Sequence, residues 1–251
     1  VEYNSDDFKK LISSIDTSNT KNDKIFLDPS FIKEVEPHDL PKRLYKFMVV
    51  DGAGQAQRRE DSWAIVLVGV EPTLDDAGGC NVYILDAFVE PMEEHKAIDK
   101  IVEMYKRAGR VEKIGIEKVG MASTEVHVAN ALRAAGRHVS IDTGTLEILR
   151  PGGRKKEDRI LKNLQWPLCN GKFHISRGVP AAFRKRLEME MEKFPFATHD
   201  DFVDAISYVY DILADYRFPK RWVNLPESSE RYENDYGENK ERGEERDWMT
   251  Q

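Results

Sequence analysis

Three apolar runs joined by short connections constrain this chain more than anything else in it: YKFMVVDGAG (45–54), SWAIVLVGVE (62–71) and CNVYILDAFVE (80–90). Each is too short for a buried helix and is rich in β-branched and aromatic residues, so each reads as a strand. Consecutive strands with tight links form an antiparallel meander. The periodicity then changes. MEEHKAIDKIVEMYKRAG places Ile98, Ile101, Val102 and Tyr105 at helical spacing and stops at Gly109. KIGIEKVG is a short strand carrying Glu117, STEVHVANALRAAG is a helix opened by Ser123 and closed by Gly136, and HVSIDTG reads as a fifth strand. The order β-β-β-α-β-α-β, followed by helical segments, predicts an α/β fold. Its mixed sheet has three antiparallel strands plus parallel strands, with helices on both faces.

The flanks differ in texture. Residues 1–43 are polar and interrupted by Pro29, Pro37 and Pro41, and read as a linker or N-terminal arm. The start, VEYNSDDFKK, has neither an initiating Met nor a signal-peptide core, so it reads as a piece cut from a longer polypeptide. Residues 219–251 read as a polar, acidic, largely disordered tail. Nine acids and four bases between Pro226 and Gln251 account for −5 of the net charge of −7, leaving −2 for residues 1–225. A nearly neutral body can still present a basic stripe to a nucleic acid. No apolar run approaches the roughly 18 residues of a membrane span. Cys80 and Cys169 have no C-x-x-C spacing, which indicates neither a disulfide framework nor a zinc site, and a reducing intracellular setting is expected.

The chemistry is concentrated in acids. In THDDFVDAISYVYDILADY (198–216), Asp200, Asp201 and Asp204 crowd the first turn of a helix that buries Phe202, Ile206, Val209 and Leu213. Thr198 and Asp201 have capping-box spacing, and acids complement a helix N-terminus. Capping requires one carboxylate or two, and three repel each other unless a cation sits among them. Asp51 ends the first strand and Glu117 lies in the fourth; these two strands can be neighbours, because the hairpins grow outward on the other side. Singly, each is an ordinary strand-end acid. Together, three acidic groups at the ends of separate elements point to a metal site, since a charge in an apolar strand is costly unless paired or metal-bound. Oxygen ligands without Cys or His favour Mg²⁺ or Mn²⁺, and four or five carboxylates suit two ions about 3.5–4 Å apart. Such a pair assists in-line phosphoryl displacement.

FMVVDGAGQAQRREDSWAIVLVGVE, IGIEKVG, GGRKKEDRILKNLQWPLCNGKFHIS and FPFATHDDFVDAISY, in this order, resemble the nuclease domain of the large terminase subunit of tailed bacteriophages, a member of the ribonuclease H-like superfamily. The resemblance covers roughly residues 44–216 and sets the nuclease domain at 44–218. It implies a metal-dependent endonuclease that cuts concatemeric double-stranded DNA by two-metal-ion hydrolysis. It also implies catalytic and metal-ligating roles for Asp51, Glu117 and Asp201, with Asp200 and Asp204 as alternates or additions to Asp201 among the metal ligands. The partners it implies are double-stranded DNA, an N-terminal packaging ATPase domain, a small terminase subunit and a portal. The place it implies is the host cytoplasm, with no role in the mature virion. No G-x-x-x-x-G-K-[ST] occurs, so this chain by itself is expected to hydrolyse no ATP.

Beside such a site the basic run RPGGRKKEDRILKNLQW is expected to bind phosphates through Arg150, Arg154, Lys155, Lys156 and Arg159, with Arg58 and Arg59 assisting. A solvated helix face is the bland explanation for the same run. Asp61 and His199 are candidates for a supporting shell around the metal. Two other readings compete: a Holliday-junction resolvase or transposase-like nuclease of the same fold, which would be strongly basic or dimeric, and an inactive docking module. Complete acid clusters argue against the module, because an inert protein gains nothing from carboxylate repulsion.

Overall fold

The structure, a computed structural model, describes residues 26–52, 62–72, 79–118, 123–141, 143–150 and 155–218. Among these, seven strands form one sheet: β1 (Lys33–Val35), β2 (Tyr45–Asp51), β3 (Trp63–Pro72), β4 (Cys80–Glu90), β5 (Lys113–Glu117), β6 (Leu146–Leu149) and β7 (Phe173–Ser176). Their spatial order is β1-β7-β4-β3-β2-β5-β6. The meander pairs antiparallel as expected, whereas β2–β5, β5–β6, β4–β7 and β1–β7 are parallel. The sheet is therefore mixed, with the meander in its middle.

Among the described residues five α-helices cover it. On one face lie α1 (Glu94–Ala108) and α2 (Thr124–Ala134), and Met48, Val50, Ile65, Ile101, Met104, Val128 and Leu132 form the core beneath them. On the other face lie α3 (Lys156–Cys169), α4 (Ala181–Lys193) and α5 (Asp201–Asp215), over Phe47, Val49, Val66, Val68, Ile160, Leu187, Phe202 and Ile206. Burial on both faces explains why the central strands read as continuous apolar runs rather than alternating ones. α5 buries residues nearly all round, Phe202 through Val209 included, because it lies directly on the sheet between its neighbours.

Three local expectations turn out differently. The fifth strand is not HVSIDTG but the following LEIL: Gly144 takes a left-handed φ of 69°, and Thr145 Oγ1 accepts from the Ser140 N–H at 2.9 Å, closing a turn ahead of the strand. Part of the segment read as an arm joins the sheet as β1, and Leu27 is buried. Pro29 and Pro37 each open a single-turn 3₁₀ helix there, where their missing N–H costs nothing. A three-residue strand held by ion pairs of Glu34 and Glu36 with Arg177 has no periodicity to read. Finally, β7 had no counterpart in the sequence reading, being four residues between two helices. The proposed tail, residues 219–251, lies outside the described residues.

Candidate metal centre

Strand alternation decides which acids meet. In β2, Phe47 and Val49 face α3–α5 while Met48 and Val50 face α1–α2, so Asp51 continues the first set. In β5, Ile114 and Ile116 face α1–α2, which turns Glu117 to the α3–α5 side. The parallel register pairs Val50 with Ile116 and so brings Asp51 and Glu117 to neighbouring strand ends. α5 comes down close onto β5 because Gly115 has no side chain: a Cβ there would stand 2.7 Å from both Ile212 Cδ1 and Leu149 Cδ1. The outcome is that carboxylate oxygens of Asp51, Glu117 and Asp204 lie within 4.8 Å of one another. Asp51 is 8% exposed and Asp204 3%.

Capping does not explain these acids. Asp200 is the N-cap residue of α5, but its side chain makes no capping bond. The N–H groups of Phe202 and Val203 donate instead to Glu190 Oε2, at 2.9 and 3.1 Å. Glu190 comes from α4, is buried, and is held by Arg186 Nε at 2.8 Å. With a carboxylate supplied by another helix, the first-turn acids are free for other work, and the capping box of Thr198 and Asp201 is not formed.

Two cations approach from α3. Lys156, Arg159 and Asn163 recur at helical spacing and face Asp204, Ser207 and Asp211 of α5. Arg159 Nη2 donates to Asp204 Oδ1, and the Arg159 Cζ lies 3.6 Å from the centroid of the Tyr208 ring. Tyr208 Oη in turn donates to Glu117 Oε1 at 2.5 Å. Lys156 Nζ bridges Asp200 Oδ1 at 2.7 Å and Asp204 Oδ2 at 2.9 Å. Asn163 Nδ2 donates to the Ser207 carbonyl at 2.9 Å.

The electrostatics follow from burial. Desolvation, and after it the adjacent Glu117, pushes the Asp51 carboxyl well above its ordinary value. Burial pushes Glu117 up too, but its hydrogen bonds with Asp51 and Tyr208 and the charges of Arg159 and Lys156 outweigh this and hold it below. Of the two, Asp51 is the carboxyl that holds a proton more readily, and a bound cation would compete with that proton. Burial also raises Asp204, against the pull of Lys156 and Arg159. All the converging donors are carboxylate oxygens, a set that fits a hard divalent cation.

The sequence-predicted residues divide accordingly. Asp51, Glu117 and Asp204 converge. Asp201, expected as the third catalytic acid, points the other way and accepts from Arg186 Nη2 at 3.2 Å, while Asp200 stands beside the cluster on Lys156. The one-residue difference is helical geometry: Asp204 and Tyr208, four apart, share the face toward β2 and β5, and Asp201 lies over α4. Arg159, expected on DNA, is 4% exposed and committed to Asp204 and Tyr208. Lys156 is engaged with the acids. Arg150 and Lys155 are exposed, as is His199. Arg58, Arg59, Asp61 and Arg154 lie outside the described residues.

Tyr208, Glu190 and Arg186 were missed. Tyr208 was legible in principle, being four residues from Asp204; Glu190 and Arg186 leave no sequence signal, because their partners come from other elements. A cleft of about 550 Å³ lies beside α4 and the segment leading into α5, lined in part by Ser62, Arg186, Glu190, Lys193 and His199, and none of the clustered acids lines it. A larger cavity, about 660 Å³, lies at the opposite strand ends between Leu40–Lys46 and Arg107–Glu112, and holds none of the clustered acids.

A mixed sheet of this order with acids at the ends of its central strands is the ribonuclease H-like fold. Residues 48–212 match the terminase RNaseH-like domain, and the chain belongs to that family. Among solved structures, the nuclease domain of the P22 large terminase superposes with a TM-score of 0.51 at 14% identity, covering 80% of this chain and 97% of that one. The large terminase nuclease from the thermophilic phage G20c with bound magnesium gives 0.49 at 11% identity, covering 75% and 96%. The human cytomegalovirus terminase nuclease domain gives 0.43 at 15% identity, covering 68% and 83%. No curated protein matches the sequence significantly.

Proposed function

We propose that this chain is the divalent-metal-dependent endodeoxyribonuclease of a viral packaging terminase, cutting concatemeric double-stranded DNA. The observation that carries this reading is the convergence of Asp51, Glu117 and Asp204 from three separate elements while Glu190 caps the helix that brings the third. Asp51, Glu117 and Asp204 would hold the cation, Mg²⁺ or Mn²⁺, with Asp200 as the further carboxylate available to a second ion. When bound, such ions supply Lewis acidity for in-line phosphodiester hydrolysis. Arg159 and Tyr208 fix the orientation of Asp204 and Glu117, and the buried surroundings restrict the mobility of these carboxylates. Arg150 and Lys155, together with Arg58, Arg59 and Arg154 from the sequence, bind backbone phosphates without reading base sequence. Within the complete motor the domain works beside a packaging ATPase domain, a small subunit and a portal in the host cytoplasm.

A plasmid nicking assay tests the proposal. Mg²⁺ and Mn²⁺ support cleavage and EDTA abolishes it; Ca²⁺ binds without promoting cleavage, since its looser coordination positions water poorly. Full activity in EDTA would sink the reading. Cleavage confined to four-way junctions, with linear and supercoiled duplex untouched, would favour the resolvase reading.

A further inference from the structure

The unusual residue of the centre is Lys156. It is the first residue of α3, with Lys155 as the N-cap, so two ammonium groups sit at the positive end of a helix dipole. Basic residues there are unfavourable unless something negative offsets the dipole. Glu157 and Asp158 in the same turn offset part of it, and the Lys156 Nζ itself is held by the carboxylate pair Asp200 and Asp204, at 2.7 and 2.9 Å. The two cations on Asp204 are not equivalent. Arg159 is 4% exposed, stacked on Tyr208, and has two further guanidinium nitrogens buried without a hydrogen-bond acceptor among the described residues. It has nowhere else to go. The Lys156 side chain is 39% exposed, on a flexible four-carbon stem, and its partner Asp200 is 26% exposed.

We infer that Lys156 is a built-in cation that occupies the outer metal position between Asp200 and Asp204 until a divalent ion and a DNA phosphate displace it, so that the centre takes its full complement of metal only with substrate present. The inference rests on the nuclease reading above. In the DNA-free protein the inner position, Asp51 with Glu117 and the inner side of Asp204, is open to one ion, and the ammonium guards the outer one. A phosphodiester entering the site offers the ammonium an alternative anion. Lys156 turns outward onto the phosphate, and Asp200 and the outer oxygen of Asp204 are freed together. Arg159 stays in place throughout and keeps Asp204 from following the lysine.

The test is calorimetric titration of Mn²⁺ into the DNA-free full chain, comparing wild type with Lys156→Met and, as a same-charge control, Lys155→Met. Thermal melts establish that each variant is folded, and Lys156→Gln replaces the Met variant if it is not. Wild type should bind one ion tightly. Lys156→Met should bind a second, with its affinity raised roughly tenfold over any weak second site in wild type, a change of about 1.4 kcal/mol. Lys155→Met, which removes the same charge from an exposed position, should leave stoichiometry unchanged. Single-turnover nicking by Lys156→Met should fall, because the phosphate loses its partner. A Lys156→Met protein with wild-type stoichiometry and affinity overturns the inference, as does a Lys155→Met protein that gains the second ion equally, since the effect would then be general electrostatics. A wild-type protein that binds no ion at all overturns the nuclease reading as well, and so the two failures are distinguishable.

Discussion

The two faces of the sheet are built to different rules. Under α1 and α2 the core is apolar throughout, from Met48 and Ile65 to Met104 and Leu132, and its ion pairs, such as Arg107 with Asp86, sit at the rim. Under α3, α4 and α5 the same strands carry a core that also encloses Asp51, Arg159, Glu190, Asp204 and Ser207. Buried charges of this kind stabilise little even when paired, and their removal one at a time is expensive. One face thus holds the fold together, while the other gives up stability to keep six carboxylates and three cations in fixed relation. The contrast teaches where to look for function in this molecule: in the polar atoms that the apolar face does without.

The comparison is broken most severely at Arg159. Arg159→Met leaves Asp204 buried with one cation fewer, and thermal or denaturant unfolding of the metal-free protein should show a loss of about 3 kcal/mol. Added Mn²⁺ should restore part of it, since a bound ion stabilises the folded state by mass action. A loss that Mn²⁺ leaves untouched would mean that Arg159 serves packing alone.

Next come the acids themselves. Asp51→Asn and Glu117→Gln should each lower plasmid cleavage at least about a hundredfold, the scale of a lost electrostatic stabiliser. Without metal, unfolding should show Asp51→Asn as stable as wild type or more so, because burial disfavours its charge, and Glu117→Gln as slightly less stable, because Arg159 and Lys156 favour the charged form. Ile101→Val on the opposite face should do the converse, costing about 1 kcal/mol in stability with cleavage unaltered. Should Asp51→Asn unfold the domain instead, the division of labour between the faces fails.

A smaller effect sharpens the account of α5. Glu190→Ala removes the cap on Phe202 and Val203 and one partner of Arg186, which keeps Asp201, and should cost about 2 kcal/mol, with faster amide exchange confined to the first turn of the helix. The least effect belongs to the sheet edge. The hydrogen bond from Arg177 and, with it, Arg184 hold the Glu34 carboxyl below its ordinary value against a slight contribution of burial. A depressed carboxyl pKa stabilises the fold above the ordinary carboxylate range and loses that contribution as pH falls through it. Melting temperatures of wild type and Glu34→Gln should therefore differ at neutral pH and converge as the pH falls below the ordinary carboxylate range. The gap, from a half-exposed pair, should stay below about 1 kcal/mol.

Much of this molecule was written in local pattern. The meander, α1 and α2 were legible because apolar runs and 3.6-residue periodicity are properties of contiguous residues, and the acids at the ends of β2 and β5 and the start of α5 stood out against apolar neighbours. The order of those acid-bearing segments likewise marked the ribonuclease H-like family. What tertiary structure alone decided is which groups face each other. Asp204 rather than Asp201 joins the two strand acids because α5 is rotated by its packing over Gly115 and by a cap that Glu190 lends from α4. Arg159, one of a run of bases in the sequence, is buried because α3 lies along α5 and meets its carboxylate there. A sequence specifies how each element is shaped and which stripe is apolar; the angle at which two helices settle on a sheet is set by contacts among residues far apart in the chain, and it is that angle which chose the third carboxylate.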